Sequence, residues 1–249
     1  MFASKKCGET TKEFSDRIKK ELDCKKVCIC GKLDPMSRGI TRILLDNDTK
    51  KMQQYLSSDK EYEFYIVPGI STKSDDILGE ITFNDKSNDE KLFSDMSKII
   101  NFMENDYIKN NYQKYHHYSA INIEKNGIRK PLWYWYKMNK LKDYEIPSKK
   151  VKISELKYLN NRLITGKLYI LDVLYRLSLV RSNNFNIEQI TNNWKKINTK
   201  NVILIKFRIS VSSGFYVRQI PGELKKKLNI HCHIFDINRI NILENYTKV

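Results

Sequence analysis

Gly31-Lys32-Leu33-Asp34-Pro35, followed by Gly39, is the stretch on which the reading of this chain turns. The apolar run Val27-Cys28-Ile29-Cys30 feeds into it as a buried strand. An aspartate then meets a proline that fixes φ and withdraws a backbone donor, so the carboxylate stands on a rigid turn at a strand end. Chemistry is often placed on side chains held this way by a fixed scaffold. From these residues alone, the turn also reads as an Asx turn in which Asp34 bonds neighbouring amides.

The chain has 249 residues, 41% of them hydrophobic, enough for one large domain or two small ones with a substantial core. No apolar run approaches the roughly 18 residues that span a bilayer. Met1-Phe2-Ala3-Ser4-Lys5-Lys6 has no apolar segment behind its charges, so no signal peptide is expected. The expectation is a soluble, intracellular protein. A net charge of +16 favours a polyanionic partner, because each neutralised phosphate releases condensed counterions. A composition rich in lysine, asparagine and isoleucine also gives a basic surface by itself.

Cys7, Cys24, Cys28, Cys30 and Cys232 form an odd, unpatterned set, as expected of a reduced compartment. His116-His117 and His231-x-His233 lack companion ligands at recognised spacing, so no metal site is expected.

Along the chain, Thr10 with Glu13 makes a capping box, and Phe14, Ile18 and Leu22 share a helical face. Residues 49–57 read as a short helix with Met52, Tyr55 and Leu56 inward. Tyr62, Phe64 and Ile66 alternate with Glu61, Glu63 and Tyr65, the pattern of a half-buried strand that Pro68-Gly69 ends. Asn88 or Asp89 caps a helix carrying Leu92, Met96, Ile99, Ile100 and Met103. Residues 105–149 and 157–200 give no clear pattern, apart from a helix near 187–197. Strands are expected at 151–156 and 202–211, and a helix at 224–228. No repeat or linker divides the chain, and the reading is one α+β domain with a mixed, largely antiparallel sheet.

Six segments in order resemble the TruB family of RNA pseudouridine synthases, from about Lys5 to Arg239. Lys5-Lys6-Cys7-Gly8-Glu9-Thr10-Thr11 resembles that family's D-K-P-x-G-x-T-S, and the Asp34 stretch its G-x-L-D-P-x-x-x-G, closed by Thr49-Lys50. Lys60-x-Tyr62 resembles its K-x-Y strand. Gly69, Thr72, Ser74, Asp76 and Gly79 sit where it has L-G-x-x-T-D-T-x-D-x-x-G. Gln113 with Tyr118-Ser119-Ala120 resembles Q-x-P-P-x-Y-S-A, and Ser213-Gly214-Phe215-Tyr216-Val217-Arg218 resembles S-K-G-T-Y-I-R.

The resemblance implies the pseudouridine synthase fold and the isomerisation of uridine in structured RNA, the T-loop uridine of tRNA. No cofactor or metal is implied, since the rearrangement is redox-neutral. It breaks the N1–C1′ bond and joins C1′ to C5, which calls for a nucleophile or charge stabiliser beside sugar and base. Asp34 takes that role by resemblance, and Arg218 supplies the counter-charge a carboxylate needs in a closed pocket. Tyr62 stacks on the flipped base, Tyr216 walls the pocket, and Ile237 lies against the base. Lys5 and Lys60 are candidate phosphate contacts, as are Lys50 and Lys225-Lys226-Lys227.

The sequence also departs from the family pattern. Ile29 stands where the family carries a histidine that holds the rearranged RNA loop, so Ile29 meets that loop without a hydrogen bond. Tyr115-His116 replace paired prolines. Residues 157–200 exceed the family's usual connection, which implies an insertion. With the sequence ending at Val249, no PUA domain of the kind that grips the tRNA acceptor end in many relatives is expected. A monomer is expected. Two alternatives stay open: an RNA-folding protein of the same fold with weak or lost catalysis, and a guide-dependent synthase of the dyskerin type.

Overall fold

The computed structural model describes residues 1–85, 88–119, 121–141 and 144–243. Strand β1 (Phe2–Lys5) leads to helix α1 (Thr11–Glu21), which starts where the capping box predicts. Thr10 Oγ1 accepts from the Glu13 amide at 3.2 Å while the Glu13 carboxylate accepts from the Thr10 amide at 2.7 Å. Such a cap contributes about 1 kcal/mol. Phe14 and Ile18 are buried, whereas Leu22 falls at the helix end and is exposed.

Strands β2 (Val27–Cys30) and β3 (Ser37–Leu45) bracket the Asp34 turn. A 3-10 turn and helix α2 (Met52–Leu56) replace the expected 49–57 helix, with the inward side chains only half-buried. Strand β4 (Asp59–Pro68) keeps the alternation read from the sequence, burying Tyr62, Phe64 and Ile66. Strands β5 (Ile70–Thr72) and β6 (Ile81–Asn84) form a small hairpin before helix α3 (Asp89–Asn105), which Asn88 caps.

The stretch 105–149 holds short elements: β7 (Tyr112–Lys114), the hairpin β8 (Asn122–Lys125) and β9 (Ile128–Pro131), α4 (Leu132–Lys137), and β10 (Ser148–Lys150) paired with β7. A signal was present here, because Asn126-Gly127 joins β8 to β9 with both φ positive, at 53° and 73°. That is the residue pair a two-residue hairpin turn favours.

Strand β11 (Ile153–Thr165) is followed by helices α5 (Gly166–Ser178) and α6 (Ile187–Lys195), then β12 (Asn201–Val211), α7 (Ile220–Leu228) and β13 (Cys232–Leu243). Residues 157–165, expected to lie in an insertion, are the second half of β11. They pair with β12 out to Thr165 opposite Asn201. The chain leaves the sheet at 166 and returns at 200, where the Gly166 amide donates to the Lys200 carbonyl at 2.8 Å.

Among the described residues, seven strands form one sheet in the order β1-β3-β13-β4-β12-β11, with β2 also pairing β3. All its pairs are antiparallel except β13 with β3. The fold is thus α+β with a mixed, largely antiparallel sheet. On one face, Phe64, Ile66, Phe207 and Ile209 pack with Ile99 and Met103 of α3 and Leu224 of α7. On the other, Val67, Leu204 and Phe235 pack with Tyr169 and Val173 of α5 and Trp194 of α6. No helix among the described residues is long and apolar enough to cross a membrane.

Candidate active site

The turn that carries Asp34 is fixed from several directions. Gly31 leaves β2 with φ +82°, a conformation that L side chains rarely adopt. The Ser37 amide donates to the Asp34 carbonyl at 3.0 Å, closing a turn in which Pro35 holds the second position. Gly39, the last residue of the motif, lies between β1 and β13, where a Cβ would come within 2.3 Å of the Arg239 carbonyl oxygen. The glycines therefore shape backbone and sheet packing around the aspartate.

Lys5 completes the turn, and its position corrects the expectation of a phosphate contact. It is 2% exposed. Its Nζ donates to the carbonyls of Lys6 at 3.1 Å, Pro35 at 3.2 Å and Ser37 at 2.7 Å. Burial pushes its pKa down to about 8, so at neutral pH it remains largely an ammonium with a proton for each of these acceptors. Lys60 is also buried, but at the wall of the Asp34 cavity: its Nζ donates to the Leu56 and Ser58 carbonyls, and burial with nearby Arg239 lowers it to about 8. Lys50 and Lys225-Lys226-Lys227 are exposed.

Arg218 lies on a 3-10 turn, Val217–Gln219, and is 6% exposed. Its Nε donates to Asp34 Oδ2 at 2.7 Å. The second flank meets Asp76, with Nη1 at 3.6 Å from Oδ2, and the Ser74 carbonyl accepts from Nη1 at 3.3 Å. Burial opposes the guanidinium's charge, but Asp34 and Asp76 outweigh it and its pKa is raised. Asp76 is fully buried, and that burial raises its own pKa against the pull of Arg218. Ser74 Oγ at 2.5 Å and the Leu78 amide at 3.0 Å donate to its Oδ1. Asp34 is more open, with 32% of its side chain exposed, and projects into a cavity of about 840 Å³. Its hydrogen-bond partner among the described residues is Arg218, not the neighbouring amides of an Asx turn.

That cavity brings together the expected site residues Ile29, Asp34, Lys60, Tyr62, Tyr216, Arg218 and Ile237, and leaves out Lys5. Ile29 also packs with Phe14, Ile18 and Ile43, so it serves core and cavity together. Tyr62 is held between Ile209 of β12 and Arg239 of β13. Gln113 fixes Tyr216: its Oε1 accepts from the Tyr216 amide at 2.8 Å and its Nε2 donates to the Tyr216 carbonyl at 3.0 Å. The Tyr216 hydroxyl lies 3.1 Å from Ser119 Oγ, and burial raises its pKa.

Where the family has a second proline, His116 Nδ1 accepts from the Tyr118 amide at 3.2 Å. Its Nε2 therefore carries the proton that faces Asp75 Oδ2 at 3.1 Å. Ala120 lies outside the described residues.

Two contributions escaped the sequence reading. Asp76 was in view as a motif residue at Thr72-x-Ser74-x-Asp76, but its contact with Arg218 needs the fold. Asn184 and Phe185 line the cavity from the loop between α5 and α6, and no local pattern marks them.

The site is thus a carboxylate on a rigid turn, ion-paired to a buried arginine and facing the aromatic walls of a cavity. Residues 19–171 match the model of the TruB family pseudouridylate synthase N-terminal domain. The tRNA pseudouridine synthase B of Ureaplasma parvum is 27% identical over 231 residues, covering 92% of this chain and 80% of that protein. Its counterpart in Ehrlichia ruminantium is 32% identical over 239 residues, covering 96% of this chain and 64% of that protein. A chain in the crystal structure of a Cbf5–Nop10–Gar1 complex superposes with a TM-score of 0.50 at 16% identity, over 96% of this chain and 47% of that one. The chain belongs to the TruB family of pseudouridylate synthases.

Proposed function

We propose that this protein isomerises uridine to pseudouridine in tRNA, at the T-loop uridine, as a monomer with Asp34 as nucleophile. The observation that carries this reading is the Asp34–Arg218 pair at 2.7 Å inside a cavity walled by Tyr62 and Tyr216. Arg218 holds and aims the Asp34 side chain through its Nε–Oδ2 bond, so the carboxylate meets the sugar or base of a flipped nucleotide. Asp34 then traps or shields the electron-poor centre while the N1–C1′ bond breaks and C1′ is rejoined to C5. Tyr62 stacks on the base and helps move the C5 proton, Tyr216 closes the opposite wall, and Ile237 packs against the base. One domain performs this, with residues 166–200 as an insertion between paired strands.

The test is tritium release from tRNA labelled at uridine C5, with no guide RNA added. Release from wild type and none from Asp34→Asn supports the reading. Binding without release by wild type would instead favour an RNA-folding protein.

A further inference from the structure

Strands β11 and β12 need only a short turn between them, because Thr165 and Asn201 are already paired. The chain instead makes an excursion over 166–200, and that excursion is firmly seated. Tyr169, Val173, Leu177, Ile190 and Trp194 are buried in it, and Trp194 Nε1 donates to the Ile77 carbonyl at 3.0 Å. The Leu179 backbone lies so close to Gly8 that a Cβ there would come within 2.6 Å of it. The excursion thus grips both the loop that carries Asp76 and the segment next to Lys5.

Its tip, the loop between α5 and α6, reaches the site. Asn184 and Phe185 line the cavity around Asp34 and also a second cavity of about 520 Å³. Asp34, Arg218 and Tyr118 are common to both, so the second cavity opens directly beside the reacting carboxylate. Trp133, Lys137 and Lys73 also line it, Lys73 in an ion pair with Glu80, another lining residue. Lys137 Nζ lies 5.5 Å from the centre of the Trp133 ring, and that ring is partly exposed. Aromatic faces with ammonium groups and a carboxamide at a cavity of this size are the chemistry that receives a nucleotide: rings stack the base, lysines meet phosphate, and an amide reads a base edge.

We infer that this second cavity is a subsite for the nucleotide adjacent to the target uridine, and that the 166–200 excursion supplies its specificity-determining residues, Phe185 for stacking and Asn184 for base identity. The inference rests on the proposed action on RNA uridine. It gives the excursion a task at the reaction centre: a nucleotide held beside Asp34 keeps the target from returning to its stack.

The experiment uses T-arm stem-loops in which each nucleotide flanking the target uridine is in turn left intact, made abasic or replaced by 2-aminopurine. Turnover and 2-aminopurine fluorescence are followed with wild type, Phe185→Ala, Trp133→Ala and Asn184→Ala. At one flanking position, wild type should lose about tenfold in kcat/KM on the abasic RNA and quench the 2-aminopurine on binding. Phe185→Ala and Trp133→Ala should lose a similar factor on intact RNA, lose almost nothing further on the abasic RNA, and quench less. Asn184→Ala should flatten the preference among bases at that position.

Equal losses on intact and abasic RNA would mean that these side chains are merely structural, and would overturn the subsite. So would the absence of quenching by wild type at either flank. If wild type turns over no RNA yet quenches in a Phe185-dependent way, the proposed activity fails and the subsite stands.

Discussion

Arg218 Nε donates to Asp34 Oδ2 at 2.7 Å across 184 residues of sequence. Asp34 sits between β2 and β3 and Arg218 follows β12, so the pair forms only once the two sides of the sheet are assembled. A buried guanidinium that lost both its carboxylates, Asp34 and Asp76, would leave an uncompensated charge, costing about 3–5 kcal/mol. Fold and reactivity are therefore joined at this contact.

Asp34→Asn should abolish pseudouridine formation while changing RNA affinity less than about threefold, because the amide keeps shape and loses the nucleophile. Arg218→Lys should lower kcat by about a hundredfold or more, since a single ammonium cannot address Asp34 and Asp76 as the guanidinium fork does. Single-turnover assays beside binding titrations check both, and a variant retaining more than a tenth of wild-type kcat would refute its assignment.

Asp76 is the second carboxylate on Arg218 and is buried behind it, 5% of its side chain exposed. Asp76→Asn keeps the volume but removes the charge that steadies Arg218's far side. We expect kcat to fall about tenfold or more with KM little changed, the pattern of a positioning residue. A rise in KM at constant kcat would contradict this.

Lys5 distinguishes an anchor from a phosphate contact. Lys5→Met should reduce kcat, because the Pro35 and Ser37 carbonyls lose their donor and the Asp34 turn loosens. The slope of log affinity against log salt should stay that of wild type, whereas a lost phosphate contact would lower it by about one. A binding series from 50 to 300 mM salt decides between them.

His233 gives the fold a pH dependence with a definite sign. It is fully buried, donates from Nδ1 to the Ile70 carbonyl at 2.8 Å and accepts at Nε2 from the Tyr169 hydroxyl at 2.6 Å. Burial lowers its pKa from 6.5 to about 4. Between those values the unfolded chain binds the proton and the folded chain does not, so stability falls as pH drops from 6.5 towards 4. The loss amounts to roughly 3 kcal/mol. His233→Gln can keep a donor and an acceptor without titrating, so urea denaturation at pH 6.5 and 4.5 should show a smaller acid loss for the variant. Equal losses would exclude His233 as the source.

The sequence disclosed what depends on near neighbours. The Thr10 cap, the Tyr62-Phe64-Ile66 alternation and the Asp34-Pro35 turn are all set by local spacing, and the structure keeps each. Order along the chain, read against a family pattern, also brought Arg218 and Tyr216 to the Asp34 cavity. Lys5 was misread because its acceptors are carbonyls of a turn at 35–37, and a lysine's sequence context does not tell burial from exposure. Asn184 and Phe185 reach the cavity only because the core under α5 and α6 sets the direction of their loop. The β8–β9 hairpin went unread despite Asn126-Gly127, because strands as polar as Glu124-Lys125 and Arg129-Lys130 show little alternation.

The central claim is that this chain performs guide-free isomerisation through Asp34, and tritium release from [5-³H]uridine-labelled tRNA tests it most directly. Purified wild type, with no other RNA or protein present, should release tritium in proportion to the pseudouridine formed, and Asp34→Asn should release none above background. Tight tRNA binding by wild type with no release, or equal release by Asp34→Asn, would contradict the account.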